Sequence, residues 1–280
     1  MKCAWSQLLA ILPHWMQQEV DKQGRDTLQE LRLRCGLPPE LICTYKEVRL
    51  AGTVTEADLS FVINTASRYS PWAAQTISQG YLTAPGGHRI GICGEAVIKD
   101  GKMTGIRTPC SLCIRVSRDI SGLAGGTQDL TGSVLIIGRP GSGKTTLLRD
   151  LIRFRSEKGT GSVGVVDERG EIFPLKANFV QGSRTDVLTG CTKEEGIEML
   201  LRTMGPQTIA VDEISSERDC QALIRGAWCG VFLLATAHAA SKTDLLSRSV
   251  YRPLVKEGIF DQLVILQPDK SWKAERMAIG

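Results

Sequence analysis

No stretch of this chain approaches the roughly 18 consecutive apolar residues that a membrane-spanning helix needs, which excludes a bilayer-spanning subunit. Aromatic residues make up only 5% of the 280 residues, so a base-stacking platform for single-stranded nucleic acid is not expected. The net charge of +4 is too small for a dedicated nucleic-acid binder, which carries a concentrated basic stripe. Histidine is scarce, with three residues, and the Cys-x-x-C formed by Cys110 and Cys113 has no second pair, so a zinc site is not expected. Internal repeats and low-complexity tracts are lacking. Cysteine is not: nine are present, odd in number and scattered, which does not fit a secreted disulfide framework. They are expected to be reduced, mostly buried thiols of a cytoplasmic protein. An apolar fraction of 42% supports a real core and excludes global disorder.

Two textures divide the chain into a small α+β domain over residues 1–122, a linker over 123–130 rich in glycine and polar residues, and a second domain over 131–280. In the first, Leu8, Ile11, Leu12, Trp15 and Val20 share one face of an amphipathic helix opening at Ala4, expected to pack on its own domain. Thr55 and Asp58 form a capping-box pattern for a helix reaching Ala66. Leu31, Leu33 and Cys35 alternate with Arg32 and Arg34 as in a half-exposed strand. Turn signals at Gly86-Gly87 and Asp100-Gly101 separate strand-like runs over His88–Val97 and Met103–Val116. Beyond the linker, aliphatic strands are predicted over Val134–Ile137, Val163–Val166, Thr208–Val211, Val231–Ala235 and Leu263–Leu266. Helices are predicted to start near Lys144, Glu194, Ser216 and Leu245. Such alternation predicts a mainly parallel sheet covered on both faces, with ligands at the carboxyl ends of its strands.

The chemistry gathers at those ends. Gly138, Arg139, Pro140, Gly141, Ser142, Gly143, Lys144 and Thr145, followed by Thr146, fit GxxxxGK[ST] between a buried strand and a helix. Glycine-rich backbone N–H groups and a helix N-terminus suit phosphate, Lys144 would reach the β- and γ-phosphates, and Thr145 would hold Mg²⁺. A nucleoside triphosphate, ATP or GTP, is the expected ligand. Thr208–Val211 runs into adjacent acids, Asp212 placed to support the metal and Glu213 to polarise an attacking water. Val163–Val166 also ends in acids: Asp167 or Glu168 could assist metal or water, Arg169 could meet phosphate in a neighbouring subunit, and a solvated charged loop is the competing reading. Thr236 and His238 close a further strand, where the pair could sense a γ-phosphate. Arg107, Arg115, Arg169, Arg184, Arg202 and Arg218 are candidates for an arginine acting between subunits, with Arg107 and Arg115 favoured. Arg139 is expected to point outward.

In this order, GRPGSGKTTLLRDLIR, VVDERGEI, RTDVL with GCTKEEG, LLRTMGPQTIAVDEI and LLATAHA resemble the stage III sporulation protein AA family. ELRLRCGLP, GGHRIGICGEAV and SLCIRVSRDISG extend the resemblance over nearly the whole chain. The family is itself similar to the hexameric motor ATPases of type II and type IV secretion. By position, Asp167, Glu168 and Glu171 match their acidic box, Asp212 and Glu213 the Walker B end, and His238 the histidine box. Ser215, Ala239 and Arg139 depart from the family pattern, but no phosphate-contacting residue is lost. The resemblance implies an α/β fold with a RecA-like P-loop core behind a smaller α+β N-terminal domain. It also implies an ATP- and Mg²⁺-dependent motor of an endospore-former, a homo-hexamer in the mother-cell cytoplasm. Such a motor would attach peripherally to the forespore membranes through membrane proteins of a channel complex, and would power or gate that channel. A non-hydrolysing nucleotide switch and a nucleic-acid translocase are the rival readings; the second fits poorly with the charge and aromatic content.

Overall fold

The computed structural model describes residues 1–68, 77–78, 80–123, 130–159, 161–174, 177–267 and 269–277. Most of the expected linker, residues 124–129, lies outside them. The chain divides into two compact units, Met1–Asp119 with Pro174–Asn178, and Ile120–Phe173 with Phe179–Gly280.

In the first unit an antiparallel sheet is built from β1 (Leu28–Arg34), β2 (Glu40–Cys43), β3 (Glu47–Arg49), β4 (Tyr81–Thr83), β5 (Arg89–Lys99) and β6 (Lys102–Arg115). Their order is β3-β2-β1-β6-β5-β4. Alternation places Leu31, Leu33, Ile90, Ile92, Leu112 and Ile114 on one face, where they pack with Leu59 and Val62 of the Glu56–Ser67 helix. Thr55 and Asp58 cap that helix reciprocally. The β5–β6 hairpin turns at Asp100 and Gly101, both at positive φ (52° and 73°), the conformation that a two-residue hairpin loop demands.

Two expectations for this unit are corrected. The single N-terminal helix is two, Trp5–Ala10 and His14–Asp21, because Pro13 takes an extended ψ of 139° and interrupts the ladder. Leu8, Ile11, Leu12 and Val20 are buried, but Trp15 is 42% exposed, its indole N–H donating to Asp58 Oδ1 at 3.0 Å. Nor are the cysteines mostly buried: Cys43 and Cys220 are, whereas Cys35, Cys93, Cys110 and Cys229 are exposed and Cys3, Cys113 and Cys191 lie between. Cys35 would have continued the inward row of Leu31 and Leu33, but β1 ends at Arg34 and the chain turns at Gly36, φ 79°.

His88 is fully buried in the same unit. Its Nδ1 accepts the Ser117 N–H at 3.1 Å, so the proton sits on Nε2, which donates to the Ala4 carbonyl at 3.1 Å. Burial, helped by the Arg118 charge, lowers its pKa below the ordinary 6.5. The unfolded chain therefore takes up a proton at a higher pH than the folded one. The stability this neutral ring supports is complete above pH 6.5 and is lost as the pH falls below it. The thermal midpoint of this unit is expected to fall on acidification from about pH 7 to about pH 5, and His88→Asn should blunt that fall; equal slopes in differential scanning calorimetry would refute it.

The second unit holds β7 (Val134–Ile137), β8 (Val163–Asp167), β9 (Thr185–Thr189), β10 (Thr208–Ile214), β11 (Phe232–Ala237), β12 (Gln262–Leu266) and β13 (Trp272–Arg276), in the order β13-β12-β7-β11-β10-β8-β9. All neighbours are parallel except β12 and β13. Every residue of β7 is buried, as a central parallel strand requires. Val134, Ile136, Val165, Ala210, Leu234 and Val264 meet Leu147, Leu148, Leu151 and Ile152 of the Lys144–Lys158 helix. On the opposite face Leu135, Ile137, Val211, Leu233 and Ala235 meet Ile197 and Leu200 of Lys193–Thr203 and Leu223 and Ile224 of Glu217–Trp228. At roughly 2 kcal/mol per buried aliphatic side chain, these two layers are the main source of this unit's stability. Thr192 with Glu195 and Ser216 with Asp219 form capping boxes that start the latter two helices. The last predicted helix is two short ones, Lys242–Ser247 and Arg252–Lys256.

Candidate functional site

The chain order β7, β8, β10, β11 becomes the spatial order β7-β11-β10-β8, so the four strand ends that carry chemistry lie side by side at one edge of the sheet. At the end of β7 the glycine-rich loop leads straight into the Lys144–Lys158 helix. Gly141 and Gly143 hold φ of 74° and 101°, and a Cβ on Gly138 would stand 2.5 Å from Ser142 Oγ. The helix N-cap, Gly143, offers no side-chain acceptor to the first amides. Ser142 Oγ is buried without a hydrogen-bond partner. Uncapped N–H groups beside an unsatisfied hydroxyl fit a bound anion. Arg139 is exposed, as expected.

Lys144 is 7% exposed, and its ammonium donates to the carbonyls of Gly138 at 2.9 Å and Arg139 at 3.0 Å. Burial pushes its pKa below the ordinary lysine value, against the opposing charges of Asp212 and Glu213. Its third contact is His238 Nδ1 at 3.0 Å. An ammonium only donates, so Nδ1 accepts, and the imidazole proton belongs on Nε2, 3.3 Å from Glu213 Oε1. The Lys144–His238 hydrogen bond and the close approach of His238 to Glu213 thus place the ammonium, the imidazole and the carboxylate in series.

A second series, of hydrogen bonds, runs beneath it. Thr145 Oγ1 donates to Asp212 Oδ2 at 2.8 Å, and Thr236 Oγ1 donates to Asp212 Oδ1 at 2.6 Å. The Thr236 hydroxyl, fully buried, also accepts the Glu213 N–H at 2.8 Å. This geometry depends on a bulge: Val211 pairs with Ala235 and Ile214 with Ala237, so β10 carries one extra residue at its end. Glu213 absorbs it with φ 38°, a left-handed conformation that a glutamate adopts only under local constraint.

The end of β8 is different in character. Asp167 is 1% exposed, and both its oxygens accept backbone N–H groups, Oδ1 from Glu171 at 2.8 Å and Oδ2 from Ile172 at 3.0 Å and Phe173 at 2.8 Å. Its carboxyl folds the Arg169–Phe173 turn, and burial raises its pKa to about 6 despite those bonds. Glu168 pairs with Lys193 Nζ at 2.5 Å, and Asp219 Oδ2 lies 3.8 Å from the same nitrogen. Asp167, Glu168 and Lys193, with Arg169, Glu171, Asp212, Glu213 and Ser215, line one small polar cavity. Lys193, 6% exposed, was not singled out from the sequence, where it reads as an ordinary first-turn lysine. Its burial at a helix start, tied to acids from two other segments, becomes visible only in three dimensions.

Four of the six arginine candidates pair with groups away from the site. Arg107 pairs with Glu95 at 2.5 Å and Arg115 lies 3.8 Å from Glu30, both within the first unit's sheet. Arg184 donates to the Ser156 and Gly159 carbonyls, and Arg202 lies 3.7 Å from Glu198. Arg169 and Arg218 are exposed. Among the described residues no group of three or more His, Cys, Asp or Glu side chains could hold a metal by itself, and no helix is long and apolar enough to cross a membrane. A magnesium ion held mainly by phosphates and one or two protein oxygens needs no such cage.

Comparison with known proteins bears on the family and the fold. The sequence profile of the family described as sporulation stage III, protein AA matches residues 6–276. Stage III sporulation protein AA of Bacillus subtilis (strain 168) is 34% identical over 281 residues, covering 95% of this chain and 92% of that protein. Among solved structures, the ATPase DotB of Legionella pneumophila superposes with a TM-score of 0.62 at 16% identity, over 95% of this chain and 80% of that one. The pilus retraction motor PilT, solved with bound ADP, gives 0.61 at 14% identity, over 89% and 76%. At such identities the structural likeness establishes the fold, an α/β architecture of the RecA-like kind.

Proposed function

The chain belongs to the sporulation stage III, protein AA family, and we propose that it is a magnesium-dependent ATPase of the motor type, working as a homo-hexameric ring. The observation that carries this reading is the pair of contact series that links Lys144 to Glu213 through His238, by a hydrogen bond and a 3.3 Å approach, and Thr145 to Thr236 through hydrogen bonds to Asp212. A passive nucleotide holder needs the loop; it does not need a carboxylate, an imidazole and the loop lysine in series.

The loop from Gly138 to Thr146 would surround the phosphates with backbone N–H groups, and Lys144 would neutralise the terminal ones. Thr145 and Asp212 would hold the Mg²⁺, whose charge offsets that of the phosphate oxygens. Glu213, held by the bulge and by its N–H bond to Thr236, would orient the attacking water and take its proton at the carboxylate. His238 accepts from Lys144 at Nδ1 and holds Nε2 3.3 Å from that carboxylate. A phosphate drawing the ammonium away from Nδ1 would therefore alter the His238–Glu213 contact, which is how His238 would sense the γ-phosphate. Glu168 would act from the cavity wall, while Asp167 acts by folding its turn. In the cell the ring would sit at the mother-cell face of the forespore membranes, attached through membrane proteins of a channel that it powers or gates.

The test is steady-state phosphate release from ATP by the purified chain over a range of protein concentrations, with Mg²⁺ and with a chelator. Magnesium-dependent turnover that rises per chain as rings assemble is the expected result. Tight nucleotide binding with no turnover at any concentration would replace the motor by a nucleotide-dependent switch.

A further inference from the structure

Cys110 and Cys113 stand three apart in sequence, but the partner that the fold gives Cys110 comes from another strand. β1 and β6 run antiparallel with Arg34 opposite Ser111 and Arg32 opposite Cys113. One step beyond the end of this register, the Cys35 N–H donates to the Cys110 carbonyl at 2.9 Å, so the two cysteines lie across from each other where β1 leaves the sheet. Facing residues joined by such bonds have Cα atoms about 5.5 Å apart, inside the window of roughly 4.4–6.8 Å that a disulfide spans. Both residues are exposed. The other cysteines of this sheet are differently placed: Cys93 faces Ser111, and Cys113 faces Arg32 on one side and Gly91 on the other. Cys43 is buried.

We propose that Cys35 and Cys110 are a thiol modification site that closes into a cross-strand disulfide on reaction with a low-molecular-weight disulfide. The thiolate of one cysteine attacks a sulfur of the oxidant RSSR, displacing RS⁻ and leaving a mixed disulfide. The facing thiolate then attacks the protein sulfur, the Cys35–Cys110 bond forms, and the second RS⁻ leaves. Two protein thiols are oxidised by two electrons, RSSR is reduced to two RSH, and the two thiol protons end on the released thiols. Exposure admits the oxidant, and the backbone bond from Cys35 to Cys110 keeps the second cysteine next to the first. The closed pair would clamp the end of β1 to β6 just before the turn at Gly36.

The folded chain is treated with excess oxidised glutathione, then blocked and analysed by mass spectrometry. The tryptic peptide carrying Cys35 also carries Cys43, and that carrying Cys110 also carries Cys113. Assignment therefore uses variants: Cys43→Ala and Cys113→Ser should keep the cross-link between the two peptides. Cys35→Ser and Cys110→Ser should lose it and instead accumulate a glutathione adduct on the remaining cysteine. The oxidised wild-type chain should melt about 5–10 °C higher than the reduced one, a rise absent from the two Ser variants at these positions. A cross-link that survives Cys35→Ser or Cys110→Ser, or glutathione adducts on both cysteines of the wild-type chain without a cross-link, would overturn the assignment. Neither readout depends on nucleotide turnover, so the result is independent of the ATPase reading.

Discussion

Lys144→Ala is expected to weaken ATP binding by about 100-fold and to reduce turnover by about 1000-fold or more. The ammonium bonds two loop carbonyls and an imidazole at once. Alanine would remove the charge that phosphates require and cut the link between the loop and His238. Two opposing effects on stability limit the damage to the fold. The carbonyls of Gly138 and Arg139 lose a donor, at about 1–3 kcal/mol for each that stays unsatisfied, while the cost of burying an ammonium disappears. Titration with a fluorescent ATP analogue beside a thermal melt separates the two: the melt should shift by a few degrees while binding collapses. Affinity and turnover within a few-fold of wild type would remove Lys144 from the phosphate site.

Glu213→Gln is expected to reduce turnover by about 10²- to 10⁴-fold and leave nucleotide affinity within a few-fold. The amide has the shape of the carboxylate and keeps an oxygen beside His238 Nε2, so both the bulge and this contact should persist. What it lacks is a basic oxygen for the proton of water. Single-turnover hydrolysis and binding isotherms on the same preparation check both halves. A Gln variant that turns over at the wild-type rate would move the general base elsewhere, with Glu168 across the cavity the first residue to examine. A loss of affinity equal to the loss of turnover would mean that Glu213 supports the site rather than the reaction.

Some of this was legible in the residues and some could not have been. The P-loop is a local device, since strand, glycines, lysine and helix are contiguous, and the structure places them as the spacing predicts. Capping boxes are local too, and Thr55 with Asp58 was readable for that reason. Asp212 and Glu213 were visible as acids after a strand, but not the extra residue that re-aims them, because a bulge is defined only against the partner strand. β9 was missed for a related cause. Its Thr185, Asp186, Val187, Leu188 and Thr189 are all half-buried at an edge, with neither a buried run nor a clean alternation to reveal a strand. β13 is polar and follows a short turn, and only its pairing with β12 makes it a strand. Asp167 shows the converse limit: an acid at a strand end was legible, but not that its oxygens accept the backbone N–H groups of its own turn. The cysteines were judged by the average habit of their residue type, and strand ends and outer faces overrode it.

β13 also bears on how this protein keeps from sticking to itself. β12, with Leu263 and Val264 fully buried, would otherwise offer a row of unpaired backbone groups to any passing strand. The cover is a short antiparallel strand bearing Lys273, Glu275 and Arg276, all exposed and of mixed sign. Charges on an edge discourage a further strand from adding. A chain cut before Trp272 would retain every residue of the nucleotide site and lose this guard. It would precipitate through β12, and its inactivity would be a failure of solubility, not of chemistry.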